Sequence, residues 1–380
     1  MIKLPKHMNF NIEQIKHNRI KEFIDFPHDL YKGDPNYVAE IFLAMKDHHN
    51  PKRNPYFLHS EVVYWLAKKD GKIVGRICAS INNKYNEFHQ SNVGFFGFFD
   101  SINDSQVAEA LFGEAEKYCR LKGADRILGP ANFTTNDTAT MLIEGFDSPP
   151  VIQMTYNYPY YQKLAEDAGY EKEMDLFAYY IPTSTVNEKS MRLSNLLKDR
   201  LKTKGITFRN IDKSKWKSEV EGIRENYKSA WEKNWGFVPP TNEEFDFIAE
   251  GLKLVVDERF ALVAEQDGKM VGFAVALPNI NEIMINSKRG RLLPFHIFNL
   301  LFKKSKTKIV RVILLGVIES HRKLGIEGVF YGHLIGEAKK ANMVAGEASW
   351  ILENNQMMNQ GAQNLGGEPY KRYRIYGKNL

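Results

Sequence analysis

The segment at 314–330, LLGVIESHRKLGIEGVF, brings together residue types that could bind a phosphate group. Arg322 and Lys323 carry positive charge, and Gly325 and Gly328 let a backbone approach a ligand closely. The first N–H groups of a helix carry partial positive charge, which favours bound anions. We therefore predict a buried strand, then a phosphate-binding turn, then a helix that begins near residue 326. The Walker A pattern and the GxGxxG fingerprint are both absent from the sequence.

The same segment resembles a known cofactor motif. Strand, R-x-x-G-x and amphipathic helix are similar to the acetyl-CoA-binding motif of the GNAT acetyltransferase superfamily, in which Gln or Arg is followed by x-x-G-x and then Gly or Ala. Arg322 and Gly325 match the first two fixed positions, and Glu327 stands at the third. A carboxylate that faced a pyrophosphate would repel it, so we expect the Glu327 side chain to point away.

The resemblance implies a binding site for acetyl-CoA or another acyl-CoA, used as co-substrate. In this family pantetheine pairs with backbone between two splayed strands, the pyrophosphate rests on the turn, and an amine attacks the thioester while backbone N–H groups polarise its carbonyl. The cofactor-binding residues that the resemblance implies are Leu315, Val317, Arg322, Lys323, Gly325, Ile326, Glu327, Gly328 and Asn355.

Proton transfer in such a reaction needs a general base and a general acid. Many family members use a Tyr about four residues before the closing Gly, but this chain has Ala362 there. We predict Glu282 or Glu353 as the base, with His321 as a further candidate. Tyr373 is the predicted acid, and the alternatives in the same terminal segment are Tyr370 and Tyr376.

An internal repeat sets the domain plan. DGKIVG at 70–75 recurs as DGKMVG at 267–272, and Gly169 and Gly366 repeat at the same offset of 197 residues. Each Asp-Gly pair lies between two apolar segments, which predicts a β-hairpin with a tight turn. Each half continues with a strand, a helix and another strand. We therefore predict an α/β protein of two tandem GNAT-like domains, each a central mixed, mostly antiparallel sheet flanked by helices.

The two predicted domains differ in the cofactor turn. In the first domain, 1–185, the acidic sequence DSIND at 100–104 takes the place of that turn, so this copy is predicted to be degenerate. A connecting helix or linker is predicted at 186–205. The second domain, 206–380, carries the candidate acyl-CoA site.

Two further segments could select the acceptor. The stretch at 286–311 contains eight Lys or Arg residues and no acid, interleaved with Pro294, Phe295, Phe298 and Phe302. It is either a solvated basic face or a surface that meets CoA, a membrane or RNA. Aromatic residues at 231–237 either line an acceptor pocket or pack in the core, and the candidates are Trp231, Trp235 and Phe237.

Composition limits the remaining possibilities. The chain has 380 residues, of which 43% are hydrophobic and 26% charged, so it can bury substantial cores. Its net charge of +6 is too small to indicate obligate nucleic-acid binding, and no DNA partner is expected. Two cysteines without metal-ligand spacing predict neither a disulfide framework nor a metal site, and the polar start predicts a cytoplasmic protein.

We predict that the protein is an N-acyltransferase that acts on a small-molecule or peptide amine. One alternative is a tandem GNAT-like transferase that takes its donor from aminoacyl-tRNA or makes a thiol metabolite. Another is a non-catalytic protein that binds CoA or a related metabolite.

Overall fold

The chain forms two compact units. The computed structural model describes residues 9–186, 188–232, 234–292 and 296–380. Unit 1 comprises the described residues up to Asp175 together with Ile285–Leu292 and Tyr373–Leu380, and unit 2 comprises Leu176–Met284 and the described residues of 293–372.

Unit 1 contains the first six strands and five helices. The strands are β1 Phe10–Ile15, β2 Ser60–Lys69, β3 Lys72–Asn82, β4 Val93–Ser101, β5 Arg126–Gly129 and β6 Met141–Glu144. The helices are α1 Ile20–Leu30, α2 Phe42–His48, α3 Asn83–His89, α4 Ser105–Leu121 and α5 Tyr160–Asp167. Strand β7, Glu171–Pro182, begins in unit 1 and continues in unit 2.

Unit 2 repeats this order. Its strands are β8 Ile206–Asn210, β9 Ala261–Gln266, β10 Lys269–Pro278, β11 Ile309–Val317 and β12 Ala345–Leu352. Its helices are α6 Glu188–Lys202, α7 Trp216–Trp231, α8 Asn242–Leu252, α9 Asn281–Met284, α10 His296–Lys303, α11 Ile326–Lys340 and α12 Gln356–Asn364. Strand β13, Glu368–Asn379, begins in unit 2 and ends in unit 1.

Within each unit the strands pair in a mixed, mostly antiparallel order, as predicted. The strand order is β1, β2, β3, β4, β5, β13 in unit 1 and β7, β12, β11, β10, β9, β8 in unit 2. The pairs β4–β5 and β11–β12 are parallel. The two predicted hairpins are confirmed as β2–β3 and β9–β10, and positive φ angles at Asp70, Gly71, Asp267 and Gly268 give the tight turns that such hairpins require.

The closing strand of each unit comes from the other half of the sequence. Residues 176–182 of β7 pair with β12 in unit 2, and residues 376–379 of β13 pair with β5 in unit 1. The contiguous boundaries predicted at 1–185 and 206–380 therefore need an amendment. The sequence repeats in order, but the two halves exchange their last strands.

Each unit has its own core between the sheet and one long helix. In unit 1 the apolar face of α4 packs on the sheet through residues such as Val107, Leu111 and Phe112. In unit 2 the equivalent helix is α11, which contributes Ile326 and Phe330 to the core. These helices follow β4 and β11, so they fix the position of the turn that precedes them.

Candidate functional site

Strands β11 and β12 separate in the middle of the unit 2 sheet. Their parallel pairing runs from Ile309 and Ala345 to Val312 and Ala348, and then stops, although both strands continue. At this point β11 carries a bulge, because its pairing with β10 skips Ile313. A bulge bends a strand and ends regular pairing. The backbone beyond Val312, which includes the predicted residues Leu315 and Val317, therefore borders an opening between two strands.

The sheet has two distinct faces at this opening. Val310 and Val312 pack into the core with α11, so the intervening Arg311 points to the opposite face. Phe273 of β10 points to that opposite face too, because its neighbour Ala274 packs in the core with α11. The indole of Trp231 in α7 stacks on Phe273 with ring centroids 5.7 Å apart. The face opposite α11 is therefore covered by α7 at Phe273.

A buried polar cluster lies on this second face, where the two strands separate. Arg311 is paired in register with Glu347 of β12, and both are buried. The Ser349 hydroxyl donates a hydrogen bond of 2.5 Å to Glu347 Oε1, and Arg311 Nε donates to Ser349 Oγ at 3.0 Å. Tyr370 donates its hydroxyl to the other Glu347 oxygen. Lys371 is also buried, with 2% of its surface exposed.

The Glu347 carboxyl has an altered acidity. Burial raises its pKa above the ordinary value of 4.5, and the neighbouring Arg311 together with hydrogen bonds from Ser349 and Tyr370 offsets part of that rise. A buried carboxylate with a raised pKa and hydrogen-bonded partners is a common feature of acid-base sites. Tyr370 is half-buried, whereas Arg311, Glu347 and Ser349 are buried, so Tyr370 is the member of this cluster with the most exposed surface.

The predicted cofactor turn precedes α11. Gly325 is the N-cap of this helix with φ of 98°, and no side chain caps the helix start. The first N–H groups of α11 therefore lack an intrahelical partner, which suits an anion. The exposed Lys323 also has a positive φ, of 66°. Arg322, by contrast, uses its guanidinium to donate to Val317 O at 3.2 Å and Ser229 O at 3.0 Å, so it ties the turn to α7.

The glycines of this segment have a second role that the sequence prediction missed. A Cβ atom on Gly328 would lie 2.9 Å from Leu197 of α6, and one on Gly332 would lie 2.0 Å from the Ser194 hydroxyl. Gly325 also faces Leu197 at 2.9 Å. These glycines allow α6 to lie directly on α11. Gly328, predicted as part of a phosphate cradle, therefore also makes room for a helix, and its contact with phosphate stays a prediction.

Helices α11 and α12 border the opening from the other side. The predicted Glu327 lies one turn before Tyr331, and burial together with the Glu327 charge raises the pKa of Tyr331 to about 12. The Tyr331 hydroxyl contacts Met358 Sδ of α12 at 3.7 Å. Asn355 is the N-cap of α12, and its side chain accepts from Met358 N at 3.2 Å. Asn355 therefore orders the helix next to the opening.

The predicted proton-transfer residues lie in different places. Glu282 accepts hydrogen bonds from the N–H groups of Lys308 and Ile309 at 2.8 and 3.0 Å, so it fixes the start of β11, away from the end that separates from β12. Glu353 is half-buried in the turn after β12. Tyr373 is fully buried within β13. The structure thus brings Tyr370, an alternative acid in the sequence analysis, together with Glu347, which the sequence did not suggest, whereas Glu282 holds the start of β11 and Tyr373 is buried in β13.

The aromatic residues predicted to bind substrate fall into two groups. Trp231 is half-buried and stacks on Tyr227 as well as on Phe273, with ring centroids 4.7 Å apart in the first pair. Trp235 is also half-buried. Phe237 is 4% exposed and contacts the Tyr227 ring, so it is a core residue.

Unit 1 has the same parting of strands, but the gap is filled. Strands β4 and β5 pair only from Val93 to Phe95, and β4 then bulges with φ of 48° at Phe98. The chain after β5 enters the gap, because Ala131 N donates to Phe96 O at 2.8 Å and Asn132 Oδ1 accepts from Phe98 N at 2.7 Å. Two backbone groups of β4 beside this gap, Phe96 O and Phe98 N, are therefore already paired within unit 1.

Comparison with known proteins agrees with this fold. No family model matches the chain. The structure is similar to a tandem GNAT protein from the clavulanic acid biosynthesis pathway, with a TM-score of 0.58 and 11% identity over 97% of this chain and 98% of that one. The fold is that of the tandem GNAT proteins, as the sequence predicted.

Two proteins resemble the chain more closely in sequence. Protein YghO of Escherichia coli (strain K12) is 38% identical over 96% of this chain and 93% of its own length. A bacterial ceramide synthase of Caulobacter vibrioides (strain NA1000 / CB15N) is 35% identical over 95% of each chain. The chain belongs to the family of these two proteins.

Proposed function

We propose that the protein is an N-acyltransferase that moves an acyl group from acyl-CoA to an amine at the opening between β11 and β12. The observation that carries this proposal is the coincidence of three features: two parted strands, an uncapped helix start, and a buried polar cluster at the place where the strands part. Unpaired backbone suits the amide groups of pantetheine, and the helix start suits a phosphate. Acyl-CoA, when bound, supplies the activated thioester.

Glu347 and Tyr370 are the proposed proton-transfer pair. The Tyr370 hydroxyl takes a proton from the attacking amine while it passes its own proton to Glu347, with which it is hydrogen-bonded. The raised pKa makes the Glu347 carboxylate a stronger base than an exposed one. A C–N bond forms, the C–S bond breaks, and the CoA thiolate leaves. Ser349 and Arg311 hold the carboxylate in position.

The proposed acceptor is a long-chain amino alcohol. This assignment is supported by the relative named bacterial ceramide synthase, since ceramide is the amide of such an amine with a fatty acid. The half-buried Trp231, which stacks on the buried Phe273, adds apolar surface on the same face of the sheet as the polar cluster. The proposed donor is accordingly a long-chain acyl-CoA rather than acetyl-CoA.

The proposal is tested by thiol release and product mass with purified protein. The donors are acetyl-CoA and a long-chain acyl-CoA, and the acceptors are a long-chain amino alcohol, ethanolamine and a peptide amine. We expect turnover with the two long-chain substrates. Glu347→Gln and Tyr370→Phe should each lower kcat by at least about 100-fold, as expected for loss of general base catalysis.

The control variants are Glu353→Gln and Tyr373→Phe, which change the residues that the sequence suggested. Both should retain turnover within a few-fold of the parent, with folding checked by circular dichroism. Loss of turnover in Glu353→Gln but not in Glu347→Gln would overturn the assignment of the base. CoA binding without thiol release in the presence of any amine would instead identify a binding protein.

A further inference from the structure

Helix α10 presents two large aromatic side chains to solvent. Phe298 and Phe302 are 57% and 73% exposed, and their spacing of four residues places them on the same side of the helix. Leu300, two residues from each, is 1% exposed and anchors the opposite side in unit 2. Isolated apolar residues on a surface are common, but two phenylalanines on one helical face form a patch that calls for a partner.

The lysines next to this patch are exposed. Lys303 ends α10, and Lys306 lies in the following turn. Lys304, by contrast, points inward and donates to Leu254 O at 2.9 Å. Leu254 is itself 41% exposed and adds apolar surface in the loop that Lys304 holds. The exposed part of this region is therefore apolar and basic together.

The arginines of the basic stretch are engaged elsewhere. Arg289 forms an ion pair with Asp29, and Arg291 lies 3.2 Å from the centroid of the Phe42 ring. Arg311 belongs to the buried cluster around Glu347. The predicted residues Pro294 and Phe295 lie outside the described residues. Residues 296–306 contain lysine and phenylalanine but no arginine, so this patch lacks the planar guanidinium groups that commonly read nucleic acids.

We propose that α10 and its following turn, residues 296–306, dock onto an anionic lipid surface. The phenylalanines would enter the boundary between headgroups and acyl chains, and Lys303 and Lys306 would meet anionic headgroups. Charge complementarity favours this occupant, since Lys303 and Lys306 are exposed beside the phenylalanines and residues 296–306 contain no acid. Among the described residues no helix is both long and apolar enough to cross a bilayer. With eight residues, α10 is much shorter than the roughly 20 that span a bilayer, so the proposed contact is with the lipid surface. This inference does not depend on the proposed acyl transfer.

The proposal is tested by flotation of the full chain with vesicles. One set contains only phosphatidylcholine and another contains about one third phosphatidylglycerol. We expect binding to the anionic vesicles that weakens as salt increases. The double variant Phe298→Ser/Phe302→Ser should weaken that binding at least about tenfold, because both apolar anchors are lost. Lys303→Glu/Lys306→Glu should weaken it by a similar factor.

Matched control variants distinguish binding through this surface from nonspecific adsorption to vesicles. Leu121→Ser removes a 77% exposed apolar side chain at the end of α4, and Lys72→Glu/Lys269→Glu reverses two exposed lysines at the hairpin turns. Both should bind like the parent. Equal binding by the α10 variants and the parent would overturn the proposal. Retention of a tRNA probe that Lys303→Glu/Lys306→Glu abolishes, without vesicle binding, would overturn it in favour of RNA.

Discussion

In both units a pair of parallel strands separates partway along its length, but different groups lie beside the two gaps. In unit 1 the chain at 131–133 enters the gap and occupies the backbone of β4, whereas in unit 2 the gap between β11 and β12 borders a polar cluster. Both copies keep the bulge at this point. The strand order and the bulge therefore belong to the scaffold that both units share. The segments that follow the two strands decide whether the gap can receive a ligand.

The units also use their buried charges differently. In unit 1 Asp100 forms an ion pair with Arg76 at 2.7 Å and accepts hydrogen bonds from Tyr31 and Tyr161 at 2.9 and 3.0 Å. Arg76 also donates to Phe23 O at 2.7 Å. This cluster ties α1 and α5 to the sheet. In unit 2 the cluster around Glu347 instead includes Tyr370, which is half-buried. We infer that the first cluster maintains the fold and the second performs chemistry.

The largest expected effect on the free energy of unfolding comes from breaking the buried cluster around Asp100 in unit 1. Arg76→Ala leaves the buried Asp100 without its cation, so we expect a loss of about 3–5 kcal/mol in the free energy of unfolding. Denaturant titration measures it. Arg53→Ala removes an exposed ion pair with Asp47 and should cost less than about 1 kcal/mol. Turnover per folded molecule should stay within a few-fold in Arg76→Ala, and its loss would show that unit 1 takes part in the chemistry.

A smaller effect on stability tests whether helix α6 packs directly on α11, where the equivalent helix α4 of unit 1 has open space at Gly113. Gly332→Ala places a Cβ atom 2.0 Å from the Ser194 hydroxyl, so we expect a loss of about 1–3 kcal/mol from overpacking. Gly113→Ala in α4 meets no atom within 4 Å and should gain about 0.5–1 kcal/mol. Urea unfolding of both variants measures the difference. Equal effects would contradict the close approach of α6 to α11.

Ligand-dependent hydrogen exchange compares the two gaps directly. With CoA at about ten times its Kd, the amides of residues 313–317 in β11 should exchange about tenfold more slowly, because binding stabilises the closed state. The amides of residues 95–99 in β4 should not change, because their gap is filled. Protection in β4 instead of β11 would reverse the assignment of the cofactor site.

The smallest expected effect concerns pH. Because the folded-state pKa of Glu347 is raised, ionising this group costs stability as pH rises from the ordinary value of 4.5 through the folded pKa. Below that window the group is protonated in both states and contributes nothing. Glu347→Gln avoids the cost, so its Tm relative to the parent should increase between pH 4.5 and neutral pH. A pH-independent difference would show that Glu347 is not perturbed.

Local patterns predicted most of the scaffold. The Asp-Gly pairs specified their hairpins because few other residues tolerate positive φ at both turn positions. The alternation of strands and amphipathic helices predicted the α/β repeat, and the resemblance of the R-x-x-G turn before α11 to the GNAT motif implied the fold and the approximate place of the opening. Glu347 was missed because EASWILE reads as an ordinary strand. Only its pairing with Arg311 shows that the carboxylate is buried beside a cation.

By itself the sequence determined the two copies, their elements and the turn that begins α11, because these depend on residues close together in the chain. Tertiary structure decided which gap is filled, which strand closes each unit, and whether a glycine faces a ligand or a helix. Each of these depends on contacts between distant segments, such as Gly332 against Ser194 or Tyr370 with Glu347. Such contacts follow from packing and burial, which no local pattern in the chain records.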